Sequence, residues 1–160
     1  MDGPPYCGNT RSMVKRATPS EAAALLAEGW SYLDVRSIPE FEEGHPAGAA
    51  NVPLLHFAGG RMSPNGDFQK VVAANFAPDT KLVVGCKAGG RSLQAAALLE
   101  AAGYTSVVDM RGGFHGERDG MGRVTTPGWV ESKLPVEASA PPEKTYAVLS
   151  KATPATPAQK

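Results

Sequence analysis

A short apolar strand, a glycine-rich loop and an Ala/Leu-rich helix follow one another between Lys81 and Gly103, and this unit constrains the fold more than any other stretch. Lys81-Leu82-Val83-Val84 has the length and β-branched content of a buried strand, while Leu93 to Ala102 reads as a helix that Gly103 closes. The alternation recurs along the chain. Pro19 to Glu28 is a predicted helix, with Thr18 as N-cap, Pro19 in the first helical position, Glu21 completing a capping box and Gly29 as the stop. Trp30 to Val35 reads as a strand, Pro39 to Gly44 as a helical turn, Phe68 to Ala73 as helical, and Ser106 to Met110 as a last strand, with a turn-prone Ser63-Pro64-Asn65-Gly66-Asp67 between. Such alternation predicts an α/β fold: a central, mostly parallel sheet with helices on both faces, right-handed crossovers, and ligand sites at the carboxyl ends of the strands.

The loop Gly85-Cys86-Lys87-Ala88-Gly89-Gly90-Arg91-Ser92 sits at such an end. There the unpaired N–H groups of the first helical turn, the positive end of the helix dipole, and the charges of Lys87 and Arg91 all favour an anion. A thiolate is such an anion, so the setting predicts a nucleophilic Cys86 rather than an inert buried cysteine. Gly89 and Gly90 allow backbone angles with positive φ and let N–H groups approach the sulfur closely. Asp34 and Arg36, where the strand at 30–35 ends, are expected at the same edge, buttressing the loop rather than touching substrate.

Length and charge exclude several classes. The 160 residues, 42% of them apolar, suit one domain. Sixteen basic residues balance sixteen acidic ones, so no global field recruits nucleic acid or an anionic membrane. No apolar run approaches the roughly 20 residues of a membrane span, and the N-terminus lacks the apolar centre of a secretory signal, which makes cytoplasmic the default expectation. Two cysteines, Cys7 and Cys86, form no disulfide framework, and His45, His56 and His115 lack metal-ligand spacing, so neither metal nor cofactor is expected. Residues 1–15 and 137–160 are too polar or too rich in Ala, Pro and Thr to fold alone and are expected as flexible tails, with Cys7 a bystander in the first.

With the cysteine loop and the strand-end charges both in view, the chain resembles a single-domain rhodanese-like sulfurtransferase over roughly residues 17–136, which sets the domain at 16–136 between the tails. Leu33-Asp34-Val35-Arg36 with Glu40-Phe41-Glu42-Glu43-Gly44-His45, then His45-Pro46-Ala47-Gly48-Ala49-Ala50-Asn51-Val52-Pro53, then Cys86 to Ser92, then Arg111-Gly112-Gly113-Phe114 resemble the family's motifs in order. Pro46 replaces the usual aliphatic residue, Phe114 stands where Trp is common, and residues 115–130 make a longer polar return whose Arg118 and Arg123 lie either at the site mouth or in solvent.

The resemblance implies a two-step transfer. Cys86 takes the outer sulfur of an anionic donor such as thiosulfate as a persulfide, then passes it to a thiophilic acceptor, cyanide or a cellular thiol; a protein acceptor is also admitted. It implies that Lys87, Ala88, Gly89, Gly90, Arg91 and Ser92 hold the substrate, and Lys87 beside the cysteine favours thiosulfate over mercaptopyruvate. Three other readings fit parts of the loop. A cysteine-dependent phosphatase has five residues between Cys and Arg, where Cys86 and Arg91 are separated by four. A nucleotide-binding loop requires Lys where Arg91 stands. A sulfur-relay or partner-docking module would keep the same loop with little turnover of free substrates.

Overall fold

The computed structural model describes residues 14–88 and 90–151. In chain order they form β1 (Lys15–Ala17), α1 (Pro19–Ala27), β2 (Ser31–Asp34), α2 (Ile38–Glu43), β3 (His45–Pro46), β4 (Ala50–Asn51), β5 (Leu55–Ala58), β6 (Arg61–Pro64), α3 (Phe68–Asn75), β7 (Leu82–Gly85), α4 (Gly90–Ala101) and β8 (Val107–Met110). The return contains β9 (Glu117–Arg118) and β10 (Val124–Thr126), and the chain closes with β11 (Val136–Glu137), a 3-10 turn (Pro142–Lys144) and α5 (Tyr146–Leu149).

Five strands make the main sheet in the order β1-β8-β7-β2-β4, and every neighbouring pair is parallel. This is the α/β architecture that the alternation predicts. Strand side chains alternate between faces. Leu33, Val35, Leu82 and Val84 join Phe68, Val72, Ala95, Ala96 and Leu99 in one core, while Tyr32 and Val83 join Ala22, Phe41, Met110 and Trp129 in the other. β7 lies at the centre, so its carboxyl end, which carries Cys86, is held from both sides.

The caps follow local chemistry. Thr18 Oγ1 accepts from the Glu21 amide at 3.1 Å and Glu21 Oε1 accepts from the Thr18 amide at 2.9 Å, an arrangement that contributes about 1 kcal/mol to α1. Gly85 answers a packing demand. A Cβ there would lie 1.8 Å from the Tyr32 hydroxyl oxygen, so only glycine lets the Tyr32 ring pass over the end of β7.

Three expectations need correction. The domain begins before residue 16, because Lys15 belongs to β1 and Val14 is buried beside it. The segment after residue 136 is no free tail as far as residue 151. Val136 and Glu137 pair with Pro46 and His45, Leu149 is 7% exposed in the core, Asn75 Nδ2 donates to the Leu149 carbonyl at 2.9 Å, and Tyr146 meets His56 edge-on. Apolar Tyr146 and Leu149 supply an anchor that the Pro/Ala/Thr background hides. The first two residues of the turn-prone 63–67 stretch, Ser63 and Pro64, belong instead to an unforeseen hairpin, β5–β6, in which Phe57 faces Met62 and both are exposed. Cys7 and Gly89 lie outside the described residues.

Candidate active site

Cys86 follows the last residue of β7 and is 2% exposed, while Lys87 and Ala88 beyond it are exposed and Gly90 opens α4. The strand-to-helix placement expected of Cys86 is therefore present. Gly90 does not use the positive φ that a glycine allows: it already belongs to the helix, and a Cβ there would meet nothing within 4 Å.

Asp34 and Arg36 reach the same edge, in register with Gly85, and form a buried fork. Arg36 Nη2 donates to Asp34 Oδ2 at 2.8 Å and to the Gly44 carbonyl at 2.6 Å, and Nε donates to Oδ1 at 3.0 Å. The guanidinium lies 4.4 Å over the Phe114 ring. Burial opposes the Arg36 charge, but Asp34 outweighs it and holds the guanidinium protonated. Asn51, which sequence reasoning did not single out, donates from Nδ2 to the carbonyls of Asp34 and Arg36 at 3.0 and 2.9 Å. The arrangement ties the carboxyl end of β2 to Gly44, to Asn51 of β4 and to the Phe114 ring.

Arg91 and Ser92 reach the loop, yet their side chains are committed elsewhere. Arg91 donates from Nη1 and Nη2 to the two carboxylate oxygens of Glu40 at 2.8 and 3.0 Å. Glu40 also accepts from the Ser37 amide and hydroxyl at 3.0 and 2.8 Å. Burial pushes the Glu40 carboxyl up, but these bonds prevail and hold it at about 2. The Arg91 charge is thus compensated, and Lys87 is the exposed cation of the loop. Ser92 is fully buried, and its hydroxyl makes a short bond to Asp109, which also accepts from Arg16 Nε at 2.9 Å. Burial raises the Asp109 carboxyl against the pull of both bonds. Ser92 thus ties the first turn of α4 to β8.

The second wall of the loop is the Gly112-Gly113 turn. Gly113 has φ +59°, and a Cβ on it would lie 2.5 Å from the Cys86 carbonyl oxygen. That closeness lets the Phe114 amide donate to the Cys86 carbonyl at 2.7 Å and the His115 amide to the Lys87 carbonyl at 2.9 Å. Arg118 braces the return by donating to the carbonyls of His115 and Gly122, whereas Arg123 pairs with Asp119 in solvent. His45 is a packing residue: it is buried against Phe41, with ring nitrogens bonded to the Phe41 carbonyl and to Glu137. His56 packs on Tyr146. A cavity of about 340 Å³ near Leu54, Phe68, Gln94 and Leu98 has no ionisable lining and lies apart from the cysteine loop. Among the described residues no group of His, Cys, Asp and Glu is placed to hold a metal.

Sequence reasoning missed Glu40, Asn51, Asp109, Arg16 and His115 as parts of this site. Only Glu40 carried a local signal, the Ser37-x-x-Glu40 capping pattern at the start of α2.

Comparison with known proteins agrees with this geometry. The family described as Rhodanese-like domain matches residues 18–117. Thiosulfate sulfurtransferase 16, chloroplastic, of Arabidopsis thaliana is 39% identical over 114 residues, covering 71% of this chain and 85% of that protein. Thiosulfate sulfurtransferase GlpE of Pseudomonas fluorescens is 32% identical over 121 residues, covering 76% of this chain and 95% of that protein. The crystal structure of Rv0390 from M. tuberculosis superposes with a TM-score of 0.68 at 24% identity, over 79% of this chain and 98% of that one, which is a likeness of fold.

Proposed function

The chain belongs to the rhodanese-like family, and from that premise we propose that it is a thiosulfate sulfurtransferase working through a persulfide on Cys86. The observation that carries the reading is the position of Cys86, on the central strand's carboxyl end and immediately before α4, with exposed Lys87 beside it. In the first step the Cys86 thiolate attacks the outer sulfur of thiosulfate. The donor's S–S bond breaks, sulfite leaves with the electron pair, and the sulfur stays on Cys86. In the second step cyanide or a thiol attacks that sulfur and Cys86 leaves as thiolate. Backbone N–H groups at the start of α4 stabilise the negative sulfur, and Lys87 draws in the anionic donor. Asp34, Arg36 and Asn51 keep the loop's floor in place, and Glu40 with Arg91 keeps its helix end in place.

The Arg91–Glu40 pair also weighs against the phosphatase reading, which needs that guanidinium open to a phosphate. Steady-state kinetics with thiosulfate and cyanide test the proposal. Parallel double-reciprocal lines are expected, together with loss of turnover in Cys86→Ser at unchanged thermal stability. Intersecting lines, or an active Cys86→Ser, would reject it. A relay or partner-docking module would keep the loop but show little turnover with either small substrate.

A further inference from the structure

Delivery of sulfur to a thiol raises a proton problem that the donor step does not have. Thiosulfate arrives as an anion, whereas a thiol of pKa about 8.5 is mostly protonated at neutral pH and must lose its proton to attack. Most bases near the loop are engaged. Asp34 is held by Arg36, Glu40 by Arg91 and Ser37, and Asp109 by Ser92 and Arg16. His45 is fully buried with both ring nitrogens bonded.

We propose that His115 is the general base of the acceptor step, taking the proton of an incoming thiol at the mouth of the Cys86 loop. This inference rests on the transfer reading above. Residues 114–115 run alongside residues 86–87, joined by the two backbone bonds from Phe114 and His115 to the carbonyls of Cys86 and Lys87. The imidazole is half-buried and stands edge-on to Phe114, with ring centroids 4.9 Å apart. Burial first, then the charges of Arg36 and Lys87 and, less, of Arg118, disfavour its protonation against the pull of Glu131, so the imidazolium gives up its proton below the ordinary value of 6.5. At neutral pH the ring is therefore a neutral base beside the loop.

The step balances within the chain and its substrates. The thiol proton passes to a ring nitrogen of His115, and the thiolate attacks the outer sulfur of the Cys86 persulfide. A new S–S bond forms, the bond from Cys86 Sγ to that sulfur breaks, and its electron pair stays on Cys86. The product leaves as a persulfide and the imidazolium releases its proton to solvent.

The test loads the full chain with thiosulfate, removes the donor, and follows loss of the added sulfur by intact mass after mixing with 2-mercaptoethanol or with sulfite, an acceptor whose unprotonated dianion is already abundant at neutral pH. Wild type, His115→Gln and His115→Ala are compared. Discharge to mercaptoethanol relative to sulfite is expected to fall roughly 100-fold in both variants near neutral pH, to recover as pH rises past the thiol's own pKa, and to be rescued in His115→Ala by added imidazole. Equal loss with both acceptors at every pH would mark His115 as merely structural and overturn the inference, as would unchanged discharge to the thiol. Wild type that takes up no sulfur at all would reject the transfer reading itself, and this inference with it.

Discussion

Replacing Glu40 by Gln tests whether an ion pair, rather than substrate, occupies Arg91. The Glu40 carboxylate receives both arms of the guanidinium and two bonds from Ser37, and it titrates at about 2 in place of the ordinary 4.5. At about 1.4 kcal/mol per pH unit, that lowering corresponds to roughly 3 kcal/mol of stability at neutral pH. The side chains are only 18% and 22% exposed, so solvent does not screen most of it away. Because the folded value lies below the unfolded one, the stabilisation is complete above the unfolded value and is lost as pH falls through the folded value. Linkage leaves about 1.4 kcal/mol at pH 3. Urea denaturation of wild type and Glu40→Gln should therefore show a gap of about 2–3 kcal/mol at pH 7 that narrows by about half at pH 3. Equal stabilities at pH 7, or a gap that does not narrow on acidification, would mean that the Glu40–Arg91 pair does not stabilise the fold.

Gly85→Ala should cost about 3 kcal/mol in a denaturation experiment, with Tyr32→Phe recovering only part, since the ring carbon that bears the hydroxyl would still lie 2.5 Å from the new Cβ; a neutral Gly85→Ala contradicts the close approach. Leu149→Ala should destabilise the domain by about 2 kcal/mol or more, measured by urea titration, because the closing helix fills part of the core; no change would place residues 138–151 outside the cooperative unit. Lys87→Ala should raise the thiosulfate KM more than it changes the acceptor dependence, with an unaltered melting temperature because the side chain is exposed; an unaltered donor dependence would speak against its role.

Legibility in the sequence followed the range of the interaction. The β7–loop–α4 unit could be read because its determinants are contiguous: Leu82, Val83 and Val84, the glycines, then a run of Ala and Leu. The Thr18–Glu21 cap was readable for the same reason, its partners being three residues apart. The partners that decide what the site's cations do are distant. Arg91 and Glu40 are 51 residues apart, and Arg16 and Asp109 are 93 apart, a separation no local pattern encodes. Proximity of Arg91 to Cys86 in sequence suggested substrate binding, whereas tertiary pairing spends its fork on Glu40. β1 was missed because a three-residue edge strand with two exposed charged residues has no apolar signature. The β5–β6 hairpin was missed because its two strands pair with each other and bury little of their surface.

Sulfur carried on Cys86 is visible as added mass on the intact protein. Reduced protein briefly incubated with thiosulfate should gain one sulfur, about 32 Da, and lose it on addition of cyanide, while Cys86→Ser gains nothing. A wild-type mass that does not change, or a gain that persists in Cys86→Ser, would mean that Cys86 is not the sulfur carrier.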